Sequence, residues 1–278
     1  MLIDTHCHIN IMLRGYKTKS AYTKLTPEEI IQANAIVQQA FDNDTTCIIN
    51  VGTDLIESTT CVEIAQMYEN CFAIVGIHPN DLTDSWKDEF AHIQSLVKNS
   101  HENKIIGIGE CGIDMHYEGY NLARQQDAFK AHIELALEHN LALSIHSRDA
   151  AEETFKIIDE YAKESNFKGI MHCYAYDQGY AQQAIDFNLV LGIGATLTYP
   201  KNEVLRSIVK SVQLEQIVLE TDAPFLPPQI MRGKQNSPAN IKIVAEYIAQ
   251  LRQTSYENVA NTTTTTVKKL FNLSQKLA

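Results

Sequence analysis

Thr26-Pro27-Glu28-Glu29, followed from Thr46 by Cys47-Ile48-Ile49-Asn50-Val51, is the stretch on which the fold turns. A capping threonine, a proline at the first helical position and a glutamate three residues after the cap start a helix. Apolar residues at Ile30, Ala33, Val37 and Phe41 give it one buried stripe, Asn43-Asp44 ends it, and a short apolar strand follows. The same alternation extends in both directions. Leu2 to His8 reads as a strand before this unit. After it come helix 57–68 and strand 72–77, helix 86–98 and strand 105–109, helix 123–138 and strand 141–145, helix 150–164 and strand 169–172, helix 180–187 and strand 189–193, and helix 203–212 and strand 217–219. Short, nearly continuous apolar strands separated by helices are the pattern of a parallel sheet covered on both faces. The expectation is an α/β fold, an eight-stranded parallel (β/α)8 TIM barrel with its chemistry at the C-terminal ends of the strands. A doubly wound open sheet would carry a glycine-rich turn after its first strand, and none is present. Segments 239–253 and 257–271 read as helices closing the outer ring, and 10–25 as a loop. No stretch rich in Pro, Gly or Ser marks a boundary, so residues 1–278 are expected to form one domain. Thr262 to Thr266 is a threonine run of poor helix propensity.

Composition narrows the classes of function. At 45% hydrophobic and 21% charged residues the chain has the balance of a globular protein, with no apolar run of membrane-spanning length. The N-terminus has no basic segment leading into an apolar one, so a cytoplasmic location without membrane association is expected. The six cysteines include no C-x-x-C pair and read as reduced thiols. A net charge of −11 argues against a broad basic face, so any nucleic acid must be held locally.

The first strand carries Ile3-Asp4-Thr5-His6-Cys7-His8. Alternation puts His6 and His8 on one face, with Asp4 one layer deeper, where its carboxylate could hold a ring N–H. Later strands end in further donors: Glu110 in Gly109-Glu110-Cys111-Gly112, His146 in Ile145-His146-Ser147-Arg148, His172 in Met171-His172-Cys173, and Asp222 in Glu220-Thr221-Asp222-Ala223-Pro224. That set exceeds the needs of one ion, so two divalent ions about 3.5–4 Å apart with a bridging carboxylate are expected. Glu110 comes from a strand between the first and the fifth and sixth, and is assigned the bridge. One ion then takes His6, His8, Glu110 and Asp222, and the other Glu110, His146 and His172. Mixed N/O ligation suits Mg, Mn, Zn or Co. Cys7, Cys111 and Cys173 lie beside ligands, and alternation turns them away from the ions to pack as small apolar residues.

These stretches, in this order, together with His172-Cys173-Tyr174 and Arg232-Gly233-Lys234 followed by Asn236, resemble the TatD family of metal-dependent deoxyribonucleases over nearly the whole chain. The resemblance implies an amidohydrolase-type barrel, a divalent-metal centre and hydrolysis of DNA phosphodiesters, often from the 3′ end. It carries the metal-ligand role to His6, His8, Glu110, His146, His172 and Asp222. The chain departs from the family where Tyr174, Ala175 and Tyr176 follow His172 in place of the usual phenylalanine, serine and glycine, and in its first loop. Both departures bear on which DNA end fits.

The expected reaction is 3′ to 5′ exodeoxyribonuclease hydrolysis through a two-metal-activated water, with Glu110 and Asp222 as catalytic carboxylates and Asp222 also the proton acceptor. Arg148, Arg232 and Lys234 are candidate contacts to substrate phosphates, and His78 and His116, just beyond strand ends, could contact substrate but are not taken as ligands. Single-stranded DNA ends are the expected partner, with no obligate protein partner. Two rivals remain. An amidohydrolase acting on a small amide or nucleobase would often bridge its ions with a modified lysine on the fourth strand, but Lys104 precedes that strand. A barrel retained for binding or scaffolding would be expected to lack a ligand, and none is missing. The first loop, Ile11 to Leu25, interleaves Arg14, Lys17, Lys19 and Lys24 with Tyr16 and Tyr22 and has no acidic residue. That pattern suits a single-stranded nucleic acid, so neutralising Arg14, Lys17 and Lys19 is expected to raise KM for DNA.

Overall fold

The computed structural model describes residues 1–16 and 21–273. Strands β1 (Leu2–Cys7), β2 (Thr45–Val51), β3 (Cys71–Val75), β4 (Ile105–Asp114), β5 (Ala142–Arg148), β6 (Gly169–Met171), β7 (Leu189–Ile193) and β8 (Ile217–Leu219) form one parallel sheet in chain order. The sheet curls into a nearly closed barrel. Where β8 meets β1, Asp222 N–H donates to His6 O at 2.8 Å, His8 N–H to Ala223 O at 2.7 Å, and Thr5 Oγ1 to Leu219 O at 2.9 Å. This seam puts the last ligand-bearing turn beside the first strand.

Helices α1 (Ile9–Arg14), α2 (Pro27–Phe41), α3 (Leu55–Met67), α4 (Trp86–Lys98), α5 (Leu122–His139), α6 (Ala151–Tyr161), α7 (Gln178–Asp186), α8 (Glu203–Ser211), α9 (Ile241–Arg252) and α10 (Tyr256–Leu270) complete the chain. The capping box read at Thr26 is present: Thr26 Oγ1 accepts from Glu29 N–H at 3.2 Å, and Glu29 Oε2 accepts from Thr26 N–H at 2.8 Å. Inside the barrel, Ile3, Ile49, Phe72, Ile74, Ile106, Ile170 and Val218 pack together, and Val267 and Phe271 close the end opposite the ligands. Burying each such side chain stabilises the fold by about 2 kcal/mol before entropy is counted. A larger layer between sheet and helices includes Val75, Ile93, Phe129, Ile133, Leu143, Ile158 and Leu191.

Two local expectations are corrected, and the helix read over 257–271 is present despite its threonines. Residues 10–25 are not all loop, because α1 runs Ile9–Arg14 and is capped by Gly15, whose φ of 72° favours glycine. The fourth and fifth strands run on past 109 and 145, pairing Gly112 with His146 and Asp114 with Arg148. Gly112 makes that pairing possible: at φ 143° a Cβ there would sit 1.9 Å from His146 O. The threonine run is helical within α10, and tertiary contacts outweigh propensity. Thr263 and Thr265 donate to carbonyls four residues back, Thr264 to Met1 O and Thr266 to Glu215 O. No helix among the described residues is long and apolar enough to cross a membrane.

Candidate metal centre

The structure gathers all six expected ligands at one mouth. His6 Nε2 and His8 Nε2 are 3.2 Å apart. Ligands on one ion with bonds of about 2.1 Å stand roughly 3.0–3.4 Å apart, so the pair spans one edge of a coordination polyhedron. Asp222 Oδ1 lies 3.3 Å from His8 Nε2 and 4.0 Å from His6 Nε2. Glu110 sits between two donor sets. Its Oε2 faces His6 Nε2 at 3.4 Å and His8 Nε2 at 3.9 Å, while its Oε1 is 2.9 Å from His146 Nδ1 and 3.9 Å from His172 Nε2. His172 Nε2 is also 3.8 Å from Asp222 Oδ1, and its ring stacks on His6 at 3.5 Å. Three clusters, His6 with His8 and Asp222, His6 with Glu110 and His172, and His146 with His78 and Asp114, have donor atoms near enough to share an ion.

The imidazole tautomers fit this use. His8 Nδ1 donates to Val51 O at 2.8 Å, which frees Nε2 to offer a lone pair. Glu220 Oε2 lies 3.1 Å from His172 Nδ1 and leaves Nε2 of that ring likewise inward. His6 Nδ1 meets Ser144 Oγ at 3.1 Å. His146 is turned the other way: Nε2 faces Asp114 Oδ2 at 2.9 Å, so its Nδ1 is the nitrogen shared with Glu110. These donors suit a divalent cation.

The charges follow from the crowding. Burial opposes ionisation of Glu110, but His78, His146, His6 and His172 around it hold its carboxyl well below the usual range. Burial likewise opposes the Asp222 carboxylate, and His8, His172 and His6 outweigh it. Burial lowers the pKa of His6, helped by the charge of His172. For His8, burial is outweighed by Asp222 and Glu110, and the pKa rises. His146 rises against burial through Asp114 and Glu110, and His172 against burial through Glu220, to about 10.

Asp4 corrects the reading of the first strand. It holds no ring N–H, but accepts from Thr221 N–H at 3.0 Å, from Thr221 Oγ1 at 2.6 Å and from His6 N–H at 3.3 Å, tying β1 to the turn after β8. Burial pushes its carboxyl up to about 8. Alternation also slips: Ile3 packs inside the barrel and Cys7 outside it, with a register shift between Asp4 and Cys7. Sequence reasoning left Asp114 and Glu220 without a role, although Glu220 stands in a quoted motif and Asp114 follows another by two residues. Glu220 Oε1 accepts from Cys173 N–H at 2.7 Å, and Gly192 on β7 leaves the space, since a Cβ there would fall 2.4 Å from Glu220 Oε2. Asp222 and Cys173 adopt left-handed φ values of 56° and 47°. Each costs about 1 kcal/mol, held by the backbone bonds to His6 O and Glu220.

A family model described as TatD related DNase matches residues 3–272. The chain belongs to the TatD family. It is therefore a metal-dependent hydrolase, and the clustered donors include groups that could hold a metal ion. Among its relatives is the uncharacterized metal-dependent hydrolase YabD of Bacillus subtilis, 33% identical over 99% of this chain and 100% of that protein. Another, the 3'-5' ssDNA/RNA exonuclease TatD of Escherichia fergusonii, is 28% identical over 86% of this chain and 92% of that one. The crystal structure of YjjV, a TatD homolog from Escherichia coli K12, superposes with a TM-score of 0.85 at 23% identity, over 98% of each chain, and shares the fold.

Around the candidate centre, Arg148 is exposed, with its guanidinium 5.5 Å from the Tyr117 ring, and Arg232 lies 4.9 Å from the Tyr199 ring. Lys234 is exposed. His116 Nδ1 is 2.7 Å from Asp149 Oδ2 on the surface. The first-loop reading changes. Arg14 is not an uncommitted cation, since Nε and Nη2 donate to Glu29 at 3.0 Å and Nη1 to Thr60 Oγ1 at 3.2 Å. Tyr16 and Tyr22 donate to Asp81 and Glu63. Lys17 and Lys19 lie outside the described residues.

The thiols carry a prediction. Cys7 and Cys111 sit in apolar clusters, Cys173 follows β6, and burial raises all three thiol pKa values well above the usual. Neutral thiols are poor ligands. The variant with Cys7, Cys111 and Cys173 all replaced by alanine should bind as much metal as wild type by elemental analysis, and a lower content would place a thiol among the ligands.

Proposed function

We propose that the chain, as one domain spanning residues 1–278, hydrolyses phosphodiester bonds at single-stranded DNA ends in the 3′ to 5′ direction, using two divalent ions. His6, His8, Glu110 and Asp222 would hold one ion, and Glu110, His146 and His172 the other. The observation that carries this reading is Glu110, whose two oxygens face separate imidazole sets. When bound, such an ion pair lowers the pKa of a water and offsets charge on phosphoryl oxygens. Asp222, ionised at neutral pH, faces the same space and would accept the proton of that water. Asp114 would hold the His146 ring by a hydrogen bond, and Glu220 would face His172 as an ion-pair partner.

Arg148, Arg232 and Lys234 would take neighbouring phosphates by charge-assisted hydrogen bonds. Phe225, 43% exposed and 5.9 Å from the His8 ring, offers an unpaired base a stacking face beside the centre. The exonuclease named among the relatives supports a nucleic-acid substrate. A lysine bridge of the amidohydrolase kind finds no support, since Lys104 Nζ donates to Glu69 O at 2.7 Å, at the other end of β4 from Glu110. Free thiols at all six cysteines support a cytoplasmic setting.

The test is degradation of end-labelled single- and double-stranded DNA by the metal-loaded protein, followed as a ladder from the 3′ end. Progressive shortening of 5′-labelled single strands ahead of duplex is the expected result. Loss of a 5′ label first would reverse the polarity, and intact DNA alongside cleavage of amide substrates would sink the nuclease reading.

A further inference from the structure

His78 stands between β3 and a 3-10 turn at Pro79–Asp81, with its ring against the metal ligands. Its Nε2 is 3.7 Å from Glu110 Oε1, and its ring meets His146 edge-on at 4.4 Å between centroids. The side chain is 13% exposed, so it reaches the mouth. Position alone would make it a seventh ligand, and His78, Asp114 and His146 do have donor atoms near enough together to suggest a further cation site.

The hydrogen bonds exclude that use. His78 Nδ1 accepts from the Asn80 backbone N–H at 3.1 Å. A backbone amide can only donate, so Nδ1 carries the lone pair, and the neutral ring has its hydrogen on Nε2. A ring nitrogen bearing hydrogen cannot bind a cation. This is the reverse of His8, where Nδ1–H donates to Val51 O and Nε2 keeps the lone pair. Asp114 is also committed: Oδ2 meets both Asn80 Nδ2 and His146 Nε2 at 2.9 Å, and Oδ1 accepts from His116 N–H at 2.9 Å.

What remains at Nε2 is a hydrogen with no acceptor at hydrogen-bond distance among the described residues. The 3.7 Å to Glu110 exceeds the roughly 2.7–3.2 Å of an N–H···O bond, so this donor is aimed at the centre and left unused. Pro79 and the Asn80 bond fix the ring before any substrate arrives.

We propose that His78 is a catalytic hydrogen-bond donor, its Nε2–H bonding a non-bridging oxygen of the scissile phosphate beside Glu110, and that it binds no metal. The proposal rests on the phosphodiesterase reading above. No proton is transferred: the N–H···O bond strengthens as charge builds on the phosphoryl oxygen and weakens after the ester bond breaks. Pre-aimed donors of this kind act on the transition state more than on substrate binding.

The variants H78N and H78Q separate the two nitrogens. The asparagine amide oxygen can still accept from Asn80 N–H near the Nδ1 position but places nothing at Nε2, whereas the glutamine amide nitrogen reaches the Nε2 position. Metal content, steady-state kinetics on bis(p-nitrophenyl) phosphate, and histidine 15N shifts of the metal-loaded wild type are measured together. Both variants should hold wild-type metal. In H78N kcat should fall on the order of 10²-fold with KM little changed, H78Q should regain part of the loss, and the His78 shifts should report the Nε2–H tautomer. Metal loss in H78N, a wild-type kcat in H78N, or an Nδ1–H tautomer overturns the proposal. Metal-loaded wild type that cleaves no phosphodiester overturns the functional reading and this substrate contact with it. Cleavage by wild type and H78N alike overturns the contact alone.

Discussion

Replacing Glu110 by alanine is expected to abolish hydrolysis, lowering kcat/KM on the order of 10³-fold or more, because one residue serves both donor sets. Its Oε2 faces His6 and His8 and its Oε1 faces His146 and His172. Without the carboxylate, four imidazoles would crowd two positive ions with only Asp222 to offset them. Bound metal should drop along with activity, and elemental analysis checks this independently of any substrate. Fold should survive, because Glu110 lies at the mouth while the apolar barrel interior is packed below it. A Glu110→Ala protein that degrades DNA at the wild-type rate would show that the reaction occurs elsewhere.

Metal affinity should rise steeply with pH across the neutral range. In the metal-free protein His8, His146 and His172 hold protons more tightly than ordinary histidines, the last up to about pH 10. A cation must displace those protons, and each one released changes the apparent affinity about tenfold per pH unit. The loss on acidification therefore begins above the ordinary histidine range near 6.5. The sign for stability is opposite. Raised folded-state pKa values contribute stability to the metal-free protein that is fully present below about 6.5 and lost as pH rises through those values. Between pH 6 and 8.5, then, metal binding should strengthen as the metal-free protein loses stability. Titration calorimetry in buffers of different ionisation enthalpy counts the protons released. Affinity flat over that range would mean the imidazoles are already neutral and the carboxylate contacts do not hold their protons.

Much of the barrel was legible because each βα unit is locally encoded. Thr26, Pro27 and Glu29 specify a helix start by contacts within four residues, and the strand spans 189–193 and 217–219 read from apolar pattern alone match β7 and β8. Alternation failed at β1 and β4, where register shifts fall between Asp4 and Cys7 and between Ile108 and Cys111. Such slips come from neighbouring strands, so no periodicity in the strand itself announces them. The first loop misled for a related reason. Arg14 looked like a spare cation, but Glu29 and Thr60 were brought to it by folding.

The sequence by itself determined the repeating units and the set of candidate donors, because residue type and strand-end position are local properties. Which nitrogen of each imidazole faces the centre was decided only by tertiary structure. Val51 O, Glu220, Asp114 and the Asn80 amide select it from 43, 48, 32 and 2 residues away in the chain for His8, His172, His146 and His78. Even the last, near in sequence, depends on a turn geometry that residue names do not state. A ring nitrogen is a lone pair or a hydrogen according to what the folded chain puts behind it, and that choice separates a ligand from a donor.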